Sequence, residues 1–354
     1  MLQDYSKIFL TGGTGWLGHR VATAVTSGLP ELGALGTGGH ALHCLVPAGE
    51  SLQKLNQLGA SITAGSINDD TALQQFLAQG EGGLLIHTAG LIHPPGLIGR
   101  TQLFDQINVQ GTQQLLRAAT AAKIKRIVVM SSNSPFGGNA TPDERFTEDS
   151  PYHPYMGYGR SKYKMEQLLK LHREHYDAPE IVIIRAPWFY GPGQPPRQTL
   201  FFKMIKDGKF PIVGNGLNKR SMGYVDSLAL GLLLAGATPE ARGDTFWIAD
   251  EAAYSMLEIV DTVRKVLHED FGFAVVNKNM QLPAIAADIA RLCDATLQMA
   301  GLYQQKIHVL SEMNMTIACD ISKAKRLLGY QPLVALREGM RRSIQWCMDN
   351  NQTI

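Results

Sequence analysis

Apolar residues fall in short unbroken blocks through the first half of the chain. Lys7–Leu10, Ala41–Val46, Ser61–Ala64, Leu84–His87, Arg126–Met130 and Ile181–Ile184 are mostly continuous rather than alternating. That pattern predicts strands covered on both faces. Trp16–Ser27, Asp70–Ala78, Thr101–Ala122 and Tyr158–Tyr176 lie between them and read as helices. The alternation predicts an α/β fold built on a doubly wound parallel sheet. Gly28–Gly39 reads as a long surface loop. After Pro187 the rhythm loosens, and Gly191–Pro196 marks a loop. Helical pieces follow near Leu200–Lys206, Val225–Ala237, Leu257–Leu267, Ala284–Met299, Ser322–Leu328 and Leu336–Met348. The expected division is a mainly sheet-forming part over 1–186 and a smaller part over 187–354, with some segments returning to the sheet.

Composition narrows the class. The 354 residues carry a formal net charge of +2 and no basic run beyond Arg341-Arg342, so nothing points to nucleic acid. Cys44, Cys293, Cys319 and Cys347 are scattered and form no CxxC, so neither a zinc site nor a disulfide framework is implied. A reduced cytoplasm is the expected location. The N-terminus enters a strand and glycine turn at once, leaving no room for a signal peptide. The longest apolar run, near Leu228–Ala237, is shorter than the roughly 20 residues of a transmembrane helix.

The first strand runs into Thr11-Gly12-Gly13-Thr14-Gly15-Trp16-Leu17-Gly18 and then a helix. Small residues permit a tight turn and close backbone approach to a pyrophosphate, while the helix N-terminus offers N–H groups to the anion. In this strand–loop–helix context the pattern predicts a Rossmann-type site for NAD or NADP. The second strand ends Val46-Pro47-Ala48-Gly49-Glu50, with no acid at its tip for ribose and no arginine for a 2′-phosphate. Glu50 suits NAD and Lys54 suits NADP, so the choice stays open.

Among Tyr152, Tyr155 and Tyr158, only Tyr158 has a lysine four residues later, Lys162. That spacing puts both on one helix face, about 6 Å apart along the axis. A phenol with a pKa near 10 needs roughly 4 kcal/mol of differential stabilisation to act as a base near pH 7, and a neighbouring ammonium works in that direction. The strand before it ends in Ser131-Ser132-Asn133-Ser134, where a hydroxyl can hold a reacting oxygen.

Further motifs follow in order: His87-Thr88-Ala89-Gly90, Asn108-Val109-Gln110-Gly111-Thr112, and Arg185-Ala186-Pro187-Trp188-Phe189-Tyr190-Gly191-Pro192. Together with the glycine loop, the serine-rich strand end and the Tyr158–Lys162 pair, they resemble the extended short-chain dehydrogenase/reductases. The resemblance runs to about Asp226 and returns at Asp320–Lys325 and Leu328–Pro332. It implies Ser132 as catalytic serine (Ser131 or Ser134 as fallbacks), Tyr158 as acid/base, and Lys162 as ribose ligand and tuner. It places Gly12, Thr14, Gly15, Trp16, Leu17, Gly18, Ser66, Ile67, Thr88, Ala89, Gly90 and Pro187 around the cofactor. It also suggests a homodimer pairing the Thr101–Ala122 and Tyr158–Tyr176 helices. Gly65-Ser66 departs from the family's Gly-Asp, so adenine is held differently.

The substrate is read from weaker signals. Trp188 stands where sugar-nucleotide enzymes of this family usually have asparagine. Of their later Arg-Asp-Phe only Arg220 remains, in Arg220-Ser221-Met222, and a surface arginine is at least as good a reading. Gly208–Gly216 and Leu282–Met299 look closer to the 3β-hydroxysteroid dehydrogenase branch. This makes a dehydrogenase or ketoreductase acting on an apolar secondary alcohol or ketone the leading reading. A nucleotide-sugar epimerase or dehydratase and a non-catalytic NAD(P)-binding protein are the rivals. Ser134, Trp188 and Arg220 are the candidate substrate contacts. Ile285, Ile289, Leu292 and Met299 form one helical stripe that could line an apolar pocket or touch a membrane surface, and it is read preferentially as domain core. His172 and His175 read as a solvated helix face, and no metal is expected.

Overall fold

A computed structural model describes residues 2–175 and 178–354. The six apolar blocks are strands β1 (Ile8–Thr11), β2 (Leu42–Val46), β3 (Ser61–Ala64), β4 (Leu84–His87), β5 (Arg126–Met130) and β6 (Glu180–Arg185). A seventh, β7 (Thr245–Trp247), has no counterpart in the sequence reading; three residues are too few to show a period. The parallel sheet runs β7-β6-β5-β4-β1-β2-β3. Ile8 of β1 stands beside Leu42 of β2 on one side and Leu84 of β4 on the other. The winding reverses there, opening a crevice beyond the carboxyl ends of β1 and β4.

Helices α1 (Trp16–Thr26), α2 (Thr112–Ala121), α3 (Met156–His172) and α4 (Val225–Ala237) cover the sheet. The longest apolar run is therefore α4, buried along most of its length, its Leu228, Leu232 and Leu233 in the core with Val21 and Val25 of α1. Among the described residues no helix is long and apolar enough to cross a membrane.

The other helices depart from expectation in instructive places. Thr101–Ala122 is interrupted by a π-helical stretch over Asp105–Gly111, which turns Asn108 toward the loop after β4. Gly28–Gly39 contains a 3₁₀ stretch, Pro30–Gly36, that buries Leu32. α3 starts two residues before Tyr158 and ends at His172, and the expected last residue, Tyr176, lies outside the described residues. His172 is less free than a solvated face implies, because its Nε2 lies 3.0 Å from Thr120 Oγ1.

Beyond β6 a small sheet has Lys219–Tyr224 between Trp188–Tyr190 and Ala253–Ser255. Its core includes Phe201, Phe202, Ile205, Ile259 and Val263. α5 (Ile285–Met299) and α6 (Gln305–Glu312) pack against each other beside it.

The stripe expected in the core lies outside. Ile285, Ile289, Leu292 and Met299 are 60, 57, 70 and 81% exposed, while α5 buries Ala287, Ala290, Asp294 and Gln298. Specific bonds hold the helix this way round. The Asp294 carboxylate lies 2.7 Å from His308 Nδ1 of α6, and Gln298 Oε1 accepts from the Gly157 amide at 2.8 Å.

Candidate active site

The loop after β1 is shaped by backbone proximity. Gly12 has φ +79°, and a Cβ on it would lie 2.6 Å from Ala89 N. A Cβ on Gly18 would lie 2.0 Å from the Gly12 carbonyl oxygen. Gly15 begins α1 without any side-chain cap, leaving first-turn donors for an anion. Uncapped donors above a cradle that side chains would fill fit a dinucleotide pyrophosphate, which Gly12, Thr14, Gly15, Trp16, Leu17 and Gly18 would hold. Trp16 also reaches across the crevice: its Nε1 donates to Pro192 O at 2.7 Å, and its ring lies 4.8 Å from that of Phe189.

The β4 tip is stitched to this loop. Thr88 Oγ1 donates to Thr11 O at 2.8 Å. His87 lies 2.6 Å from Thr11 Oγ1 and 3.1 Å from Thr112 Oγ1. Burial, aided by the Lys162 charge, pulls its pKa down to about 3, so this histidine is a neutral brace. Asn108 Nδ2 donates to Leu91 O at 2.9 Å and its Oδ1 accepts from Leu91 N at 2.7 Å, fixing the chain just after Gly90. Ser66 Oγ accepts from Asn68 N at 3.2 Å, and Ile67 is buried against Gly111.

α3 carries Tyr158 and Lys162 one turn apart, as the spacing requires, and Ser132 at the tip of β5 meets the phenol. Burial pushes the Tyr158 pKa up to about 12, while the Ser132 hydrogen bond pulls it down. Lys162 is buried, and its Nζ donates to Met130 O at 3.0 Å. Burial lowers its pKa to about 8, against the raising influence of Glu166. The sequence argument expected a neighbouring ammonium to depress the phenol. In the chain by itself desolvation wins, and the phenol is held protonated. Ser132 Oγ lies 3.2 Å from Ser134 Oγ and also accepts from Ser134 N at 3.2 Å. The fallback Ser131 is otherwise engaged, donating to Glu166 Oε1 at 2.6 Å.

That glutamate belongs to a layer the sequence reading missed. Glu166 and Arg185 are both fully buried and paired at 2.8 Å. Tyr152 donates to Glu166 at 2.6 Å, and the Arg185 guanidinium lies 4.4 Å from the Phe136 ring centre. The network ties α3 to β6 and to the serine-bearing tip of β5. The available signal was the spacing of Glu166, four residues beyond Lys162 on the same face.

The outer wall of the site was also missed. Phe104 lies 5.9 Å from the Tyr158 ring and 5.6 Å edge-on to Tyr303, whose hydroxyl is 2.6 Å from His93 Nδ1. The charge of Arg197 acts on both Tyr158 and Tyr303. Pro187 precedes the short strand on which Trp188 packs edge-on to Phe201 at 5.4 Å. Arg220 is not a surface residue: it is half-buried, Nη2 donates to the Glu312 carbonyl, and its shielded Nε has no hydrogen-bond partner among the described residues.

Comparison with known proteins agrees with this geometry. Residues 8–249 match the model of the NAD dependent epimerase/dehydratase family. The uncharacterized protein y4nL of Sinorhizobium fredii (strain NBRC 101917 / NGR234) is 54% identical over 346 residues, covering 98% of this chain and 96% of that one. The dTDP-glucose 4,6-dehydratase of Neisseria meningitidis serogroup B is 26% identical, covering 97% and 94%. Among solved structures, the dTDP-glucose 4,6-dehydratase DesIV of Streptomyces venezuelae, with NAD and TYD bound, superposes with a TM-score of 0.72 at 24% identity, covering 98% of each chain. The glycine cradle, the Tyr158–Lys162 helix and the match across two-thirds of the sequence lead to one conclusion: this chain is an enzyme of the NAD-dependent epimerase/dehydratase family, within the extended short-chain dehydrogenase/reductases.

Proposed function

We propose that this enzyme oxidises, and can reduce again, a hydroxyl-bearing carbon of a nucleotide-linked sugar. The observation that carries the reading is Ser132 acting on the buried Tyr158 phenol, with Lys162 one turn along the same helix and its Nζ beside Gly90, just past the β4 tip. NAD, when bound, supplies the hydride acceptor and donor. Tyr158 takes the hydroxyl proton and gives it back, Ser132 holds the reacting oxygen, and Lys162 binds ribose and adds positive charge beneath the phenol. A phenol held near 12 needs more positive charge than the chain alone gives it, and the nicotinamide ring of bound NAD would supply it, so deprotonation is tied to cofactor loading.

The substrate class rests on the relatives and on Arg220. The apolar alcohol favoured from Trp188 and the 3β-hydroxysteroid-like segments gives way, because the named relative of known activity acts on a nucleotide sugar. Arg220, with an unpartnered Nε, is suited to a diphosphate. Eliminating water from a sugar needs an acid and a base beyond the hydride pair. The two residues after Ser132 are the neutral Asn133 and Ser134, which favours epimerisation or plain oxidoreduction over dehydration.

The test pairs NAD titration with turnover on UDP- and dTDP-sugars, alongside sterols and simple ketones. Tyr158→Phe is expected to bind NAD as the wild type does and to lose turnover by at least about 100-fold. Unchanged turnover removes the mechanism, and turnover confined to sterols removes the substrate class.

A further inference from the structure

The inverted α5 belongs to a wider surface. The strand pair Gly99–Arg100 and Leu302–Tyr303 sets Leu302 opposite Arg100, both exposed, with Tyr303 and Gly99 turned inward. Leu97 and Ile98, just before this pair, are 84 and 55% exposed. Met299, Leu302 and Val309 extend the same apolar surface toward α6. Scattered exposed leucines need no explanation, but apolar side chains gathered on neighbouring elements do.

Within the two segments that carry most of this surface, acidic residues are missing. Segments 92–104 and 295–311 contain no acidic residue, and their charged side chains are Arg100 and Lys306. Both are exposed and form no ion pair among the described residues. The acids of α5 and α6 are engaged: Asp288 with Arg291 at 3.4 Å, Asp294 with His308 at 2.7 Å, and Glu312 with His308 at 3.8 Å. A two-fold related copy meeting this face would gather like charges with no free acid to answer them. An anionic lipid surface answers both features, taking the apolar side chains among its acyl chains and Arg100 and Lys306 at its headgroups.

We propose that the face formed by Leu97, Ile98, Arg100, Met299, Leu302 and Lys306 docks on an anionic membrane surface. The catalytic phenol lies a short way behind it, through Tyr303 and Phe104. Docking therefore brings this outer wall of the site to the lipid–water boundary. The inference is independent of the sugar-nucleotide reading, since it concerns where the enzyme works rather than what it transforms.

The test is co-sedimentation of the full chain with phosphatidylcholine vesicles, with and without phosphatidylglycerol. The wild type is expected to pellet with the anionic vesicles and to be released by salt. Arg100→Gln with Lys306→Gln is expected to weaken binding on the order of 25-fold, at about fivefold per charge. Leu97→Ser with Met299→Ser is expected to weaken it at every salt concentration. Both variants alter exposed side chains, and circular dichroism checks that they fold. Failure of the wild type to pellet, or equal pelleting of all forms, overturns the proposal. So does sedimentation velocity showing that Leu97→Ser with Met299→Ser dissociates an oligomer, because the cover is then a second copy.

Discussion

Replacing Gly18 by alanine adds one methyl group where the chain has no space for it. The new Cβ would stand 2.0 Å from Gly12 O, 2.7 Å from Gly12 C and 2.8 Å from Thr88 Oγ1. An ordinary carbon–oxygen contact is about 3.3 Å, so relief demands a shift of more than about 1 Å. Two of the three neighbours are backbone, so no rotamer change relieves the closest clash. Overpacking usually costs about 1–3 kcal/mol, and a backbone clash belongs at the upper end. For a chain of this size that is a Tm drop of about 4 °C without cofactor. The displaced loop also carries the donors meant for pyrophosphate, so NAD affinity is expected to fall at least about tenfold. Gly15→Ala is the contrast: its Cβ would meet only Gly12 O, at 3.2 Å. It should leave the melting temperature nearly unchanged while weakening NAD, because its methyl group intrudes on the ligand rather than the fold. Differential scanning calorimetry and isothermal titration read the two effects separately. A Gly18→Ala protein with wild-type Tm and NAD affinity would refute the packing argument.

Two other perturbations probe the supports of the site. Glu166→Gln leaves the fully buried Arg185 uncompensated and should cost about 3–5 kcal/mol in urea unfolding; a loss below about 1 kcal/mol would show that the ion pair does not anchor α3. His87 has its folded pKa lowered from 6.5 to about 3, so as pH falls the unfolded chain takes up the proton first. Its contribution to stability is therefore complete above pH 6.5 and drains away as pH falls toward 3. His87→Gln should flatten the acid limb of the stability profile, and an identical slope in both proteins would count against the buried neutral ring.

Sequence patterns carried the sheet well because β1, β4, β5 and β6 are covered on both faces and so read as solid apolar blocks. Tyr158, Lys162 and the glycines were legible because helical spacing and tight-turn chemistry act over a few residues. What escaped depends on contacts between distant segments. Arg185 and Glu166 are 19 positions apart, and His93 and Tyr303 are 210 apart. The α5 stripe misled for a related reason. Its period identified a helix with an apolar side, but which side turns inward was decided by Asp294 and Gln298 finding polar partners in α6 and α3. The phenol's acidity was misjudged because one-turn spacing reports where an amine is attached, while its Nζ is bonded to Met130 O.

The indole of Trp16 grows from the pyrophosphate turn yet is fastened to the far bank, at Pro192 and Phe189. Any swing that parts the two banks must either snap that latch or drag the turn along with it. Substrate entry and the grip on the dinucleotide are consequently mechanical partners, and opening the crevice to a reactant loosens the hold on its carrier at the same stroke.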